Sequence, residues 1–124
     1  MGVFVVRENE SGFEFEVRTE AGETLVVSSL YKTLKNAHHG ARSVLKTAPK
    51  AHFDDQTRQE NRKKEMNPKF ELSNDGPNAF SLCLRAKNGQ VLLSKSGMPT
   101  KEEALRLIDE IRKSCAAGNY QDVL

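Results

Sequence analysis

Two cysteines, three histidines and a few paired carboxylates are the side chains of this 124-residue chain best suited to chemistry. Cys83 sits between Leu82 and Leu84, so an extended backbone puts it on the opposite face, beside Ser81 and Arg85. A neighbouring guanidinium favours thiolate, but no histidine stands near it in sequence to act as a base. Cys115 falls on the apolar stripe of a helical pattern and reads as a buried structural thiol. His38 and His39 are adjacent, and helix neighbours diverge by about 100°, so they cannot chelate one ion from one face. No HxxxH spacing or nearby cysteine completes a metal site. Glu14 and Glu16 share a strand face about 7 Å apart, a spacing that suits paired carboxylates. The corresponding places later in the chain hold Ser81 and Cys83, so the pair reads as the solvated side of a sheet. Walker, GxGxxG, HExxH and GxSxG patterns are absent. The expectation is a protein that is not an enzyme and carries no cofactor or metal.

Composition narrows the class. Hydrophobic residues make up 37% and charged residues 29%, and 6 Phe argue for a packed core against disorder. Nineteen Lys and Arg face 17 Asp and Glu, a net charge of +2, which supplies no bulk attraction to nucleic acid or an anionic membrane. No apolar run reaches the roughly 18–20 residues of a membrane span. The start, MGVFVVRENESG, lacks the basic and apolar regions of a secretory signal, so a cytoplasmic protein with reduced thiols is expected. One local basic cluster, Arg58, Arg62, Lys63 and Lys64, stands against Glu60 and Glu65. It has no interleaved aromatic to stack bases, so a solvated connector is favoured. Weak nucleic-acid binding through Arg62, Lys63 and Lys64 is the alternative function.

The elements that would position these groups recur. Shifting the chain by about 67 positions lays one half on the other without a gap. Phe13 then meets Phe80, Arg18 meets Arg85, Gly22 meets Gly89, Thr33 meets Thr100 and Ala37 meets Ala104. Phe13, Phe15 and Val17 alternate with Glu14, Glu16 and Arg18, as Phe80, Leu82 and Leu84 do with polar neighbours, and each run reads as a half-buried strand. Ala21-Gly22 and Asn88-Gly89 supply hairpin turns. Thr33 and Thr100 open helices, with Ala104, Ile108, Ile111 and Cys115 on one face of the second. Each copy reads β-β-β-α-β, with boundaries 1–57 and 70–124 and a polar linker at 58–69. Units this small should share one core.

Tyr31-Lys32-Thr33, Ala37, Gly40, Ser43-Val44 and Ala48-Pro49, with the hairpin Phe80 to Val91, resemble the repeat signature of the YegP-like family, a tandem-repeat domain of unknown function. The resemblance implies an α+β fold: a tandem β3-α-β repeat forming a single antiparallel sheet, two helices on one face, and final strands exchanged between repeats. It implies no reaction. Copy two has Met98, Leu107 and Glu110 where copy one has Tyr31, Gly40 and Ser43, so a ligand site built on those residues would survive only in copy one.

One asymmetry points outward. Carrying the offset into the first strands puts Val3 and Val5 inward with Phe70 and Leu72, which leaves Phe4 and Val6 exposed. The expected function is therefore a non-catalytic interaction module. Its open sheet face, around Phe4, Val6, Glu14 and Glu16, would meet an unknown protein partner or a second copy in a homodimer, and no membrane.

Overall fold

Residues 3–6 are all apolar, so pleating alone cannot choose which of them face the core; the partner strand chooses. The computed structural model describes residues 2–19, 21–57, 65–116 and 120–122. Strand β1 (Gly2–Asn9) runs antiparallel to β2 (Gly12–Arg18), with Phe4 opposite Val17 and Val6 opposite Phe15. Phe15 and Val17 point into the core, and cross-strand pairs share a face, so Phe4 and Val6 are buried at 1% exposure each. The expectation that they stand exposed is overturned.

The cause is one residue in the other half. Strand β5 (Lys69–Gly76) pairs with β6 (Ala79–Arg85) so that Phe70 meets Leu84 and Leu72 meets Leu82. Near the turn the register shifts between Asn74 and Gly76, which leaves Asp75 as an extra bulged residue. Before the bulge, the equivalent of Phe4 is Phe70, one position short of the gapless offset. A one-residue slip exchanges the two faces of a strand.

The remaining elements follow their sequence signals. β3 (Thr24–Val27) and β7 (Val91–Met98) complete the hairpins, and Gly22 and Gly89 take φ of +90° and +89° in the turns, which a side chain would resist. The Thr33 hydroxyl accepts from the Asn36 N–H at 3.0 Å to open helix α1 (Leu34–Thr47). Ala37, Gly40, Ala41 and Val44 form its buried stripe, and Pro49 closes the segment in a 3-10 turn, Ala48–Lys50. The Thr100 hydroxyl accepts from the Glu103 N–H at 3.2 Å before helix α2 (Lys101–Ala116), which buries Ala104, Leu107, Ile108, Ile111 and Cys115. β4 (His52–Asp55) and β8 (Tyr120–Asp122) follow the helices.

Each of these last strands crosses over: β4 lies parallel to β5, and β8 lies parallel to β1. The chain thus builds two mixed four-stranded sheets, β3-β2-β1-β8 and β4-β5-β6-β7, where a single antiparallel sheet was expected. They meet where β3 ends, at the bridge Ser28–Leu93. Ser28 spends its N–H on the Phe15 carbonyl at 2.8 Å, and its hydroxyl accepts from the Phe15 N–H at 3.0 Å. One cluster of buried side chains, from Phe4 and Phe15 to Phe70, Leu84 and Ile111, joins both sheets and both helices. Arg112 of α2 ties the halves further, donating to the Ala48 carbonyl of the first half at 3.4 Å while lying 5.1 Å over the Phe70 ring of its own.

Candidate functional site

Where a strand alternates, its polar residues gather on the face away from the core, and each sheet centres that face on one carboxylate. In the second sheet it is Glu71 of β5. Lys69 Nζ approaches it at 3.3 Å, the Gln56 amide donates to it at 2.7 Å, and the Arg85 guanidinium pairs with it. Burial opposes ionisation of Glu71, but hydrogen bonds from Arg85, Cys83 and Lys69 outweigh it and lower its pKa to about 2. Lys69 is buried and also holds Asp54 of β4 at 2.9 Å, so the crossed-over strand is fastened by an ion pair.

Cys83 stands directly across from Glu71, and its thiol donates to Glu71 Oε1 at 3.2 Å. Burial, then the hydrogen bond and charge of Glu71, push the thiol up to about 11 against the pull of Arg85 and Lys69. The guanidinium expected to activate it is occupied by the carboxylate. Cys115 is pushed up to about 12 by burial alone.

Around this network runs a groove of about 400 Å³ on the outer side of the second sheet, lined by Ser73, Ser81, Ser94, Ser96, Lys95 and Gln56 among others. The Ser81 hydroxyl also donates to Asp75, the bulged residue.

The first sheet centres on Glu16 of β2, 3% exposed, held by Arg7 at 2.6 Å, Arg18 at 2.7 Å and the Thr24 hydroxyl at 3.1 Å. Burial again opposes ionisation. The hydrogen bonds from Arg18 and Thr24 and the charges of Arg7 and Arg18 win, and hold it below the usual range. Glu14 lies on the same face, paired with Arg7 at 3.1 Å. Of the sequence-predicted site residues, the structure therefore brings Glu14 and Glu16 together under Arg7. It sends Phe4 and Val6 to the core on the opposite face. Arg62, Lys63 and Lys64 lie outside the described residues. Sequence reading missed Lys69, Glu71 and Asp54, although Lys69 and Glu71 alternate with the inward Phe70 and Leu72 and were findable on that signal.

A second pair of features lies where the helix of each half meets the hairpin of the other. One crevice, about 300 Å³, lies between α1 and the β6–β7 turn; the other, about 320 Å³, lies between α2 and the end of the β2–β3 turn. Tyr31, Gly40 and Ser43 line the first, and their counterparts Met98, Leu107 and Glu110 line the second. The Tyr31 ring stacks on Phe15 at 6.1 Å, and its hydroxyl rests where a Cβ on Gly40 would collide with it, so only glycine admits the phenol there. The buried hydroxyl oxygen completes no hydrogen bond, although the Ser29 side chain lies within polar reach. An unpaired buried hydroxyl of this kind costs about 1–3 kcal/mol.

Among the described residues no helix is long and apolar enough to cross a membrane. No protein-family model matches the chain, and no curated protein sequence does. Two solved structures match its fold over nearly its whole length. The protein of unknown function yegP from E. coli superposes with a TM-score of 0.69 at 20% identity, covering 98% of this chain and 91% of that one. A UPF0339 protein from Shewanella oneidensis superposes with a TM-score of 0.70 at 18% identity, covering 98% and 90%. With two helices, eight strands and crossed-over final strands among its described residues, the chain has the α+β fold of these YegP-like proteins.

Proposed function

We propose that the protein is a non-catalytic interaction module whose docking surface is the outer groove of the second sheet. The observation that carries this reading is the division of labour in that groove. Its acids and buried cation are spent on one another, in the Asp54–Lys69–Glu71–Arg85 network. The hydroxyls of Ser73, Ser94 and Ser96 and the ammonium of Lys95 line the same groove, the last three residues being exposed. A rim of hydroxyls with one cation suits an extended protein segment that offers backbone carbonyls and a carboxylate.

The non-catalytic part of the reading is supported by the same chemistry. The thiol in the groove is held protonated near neutral pH, and the central carboxylates are held ionised by their partners, so neither is poised to exchange protons there. Affinity capture with matched variants tests the placement. Ser81→Arg combined with Lys95→Glu should lose the partner, while Glu14→Lys on the first sheet should keep it. Loss with Glu14→Lys alone would move the docking face to the first sheet, and capture by both variants equal to that by the wild type would end the proposal.

A further inference from the structure

The two crevices occupy equivalent places, yet their linings differ in one consistent way. Asn36, His39, Ser43 and Gln90 line the first; the matching positions of the second hold Glu103, Arg106, Glu110 and Glu23. Each of these four polar side chains is replaced by a carboxylate or a guanidinium. The first crevice also contains Asn88 and has no carboxylate, ammonium or guanidinium among its lining residues. Its floor is Gly40, Ala86 and Leu92. At about 300 Å³ it stands at the lower limit of small-molecule sites, enough for one ring system.

We propose that the crevice between α1 and the β6–β7 turn binds an uncharged planar heterocycle with a lactam edge, of the nucleobase class. A charged ligand entering there would lose water without gaining a counter-charge. An apolar ligand would strand the amides and hydroxyls of the walls. A planar ring with adjacent donor and acceptor satisfies both constraints, because carboxamides pair with such an edge through two parallel hydrogen bonds. Asn88 Oδ1 already accepts from the Gln90 N–H at 3.0 Å, which fixes that side chain and leaves its NH2 to donate.

The second crevice is the built-in control. Heteronuclear NMR titration of the whole protein with uridine and inosine should give saturable shifts at the amides of residues 36–43 and 88–92, with none at residues 103–110. Uridine methylated on its ring imide nitrogen should bind at least about tenfold more weakly, since the methyl blocks one of the paired bonds. The uridine monophosphate should bind no better than uridine, because no ammonium or guanidinium lines the crevice. Gln90→Glu, on the exposed turn, should weaken binding about tenfold without disturbing the fold. Tyr31→Met combined with Gly40→Leu, which copies the second crevice, should abolish it. Absence of saturable shifts at millimolar nucleoside, equal binding of the methylated base, or binding unchanged by Gln90→Glu would each overturn the proposal.

Discussion

Glu71 and Cys83 face each other across the β5–β6 ladder, and the thiol donates a hydrogen bond to Glu71 Oε1 at 3.2 Å. A carboxylate in that position stabilises the protonated sulfur, because ionising it would bring two negative charges together at short range. Cys83 should therefore be alkylated at least about tenfold more slowly than a free cysteine near pH 8, even allowing for the higher nucleophilicity of a weakly acidic thiol. Glu71→Gln should speed the reaction several-fold, as read by mass spectrometry of the labelled protein. A fast wild-type reaction would contradict the pairing.

The same carboxylate makes stability depend on acid. Glu71 has a folded pKa of about 2 against an ordinary value of 4.5, so folding favours its ionised form. Its contribution is present above about pH 4.5 and is lost as pH falls toward 2, on the order of 3 kcal/mol in total. Glu16 and Asp55 are lowered in the same direction, through their hydrogen bonds to Arg18 and Lys101 against the opposing effect of burial. Urea midpoints should fall steadily with pH over that window, and Glu71→Gln should flatten the slope. Parallel curves for wild type and variant would show that the network does not stabilise the fold.

Phe4 tests the placement of β1. Its ring is stacked with Phe15 at 5.9 Å and 1% exposed, so Phe4→Ala should cost about 3–5 kcal/mol in urea unfolding. An outward-facing phenylalanine would cost well under about 1 kcal/mol. The two results separate the observed register from the slipped one.

The bulge at Asp75 makes a prediction of much smaller size. Removing a bulged residue leaves the pairs on either side intact, so deletion of Asp75 should be tolerated. Phe70 and Leu72 should stay buried, and the loss should be about 1 kcal/mol, mainly from the Ser81 hydrogen bond. A deletion variant that fails to fold would mean the bulge is required for the second hairpin.

These cases show how much was readable from residues alone. Strands, helices and caps followed from alternation, helical spacing and the threonines, because such signals are local. Phe70 and Leu72 were placed correctly, since polar Lys69, Glu71 and Ser73 mark their register. Val3 to Val6 carry no such mark, and their faces depended on a residue about 70 positions away that lengthens only one hairpin. The groove was half legible: Cys83, Ser81 and Arg85 were grouped, but β4 joins that sheet through a crossover that alternation cannot reveal. The crevices were illegible as walls, because each combines a helix from one half with a turn from the other. Their difference was visible only as Tyr31, Gly40 and Ser43 against Met98, Leu107 and Glu110.

The central claim is that the outer groove of the second sheet is the surface the protein presents to a partner. The most direct measurement is an amide hydrogen-exchange footprint of the wild-type protein, free and bound to the partner recovered by capture. The account predicts slowed exchange in residues 80–85 and 93–97, with β1 and β2 unchanged. Protection confined to β1 and β2, or to the helices, would contradict it.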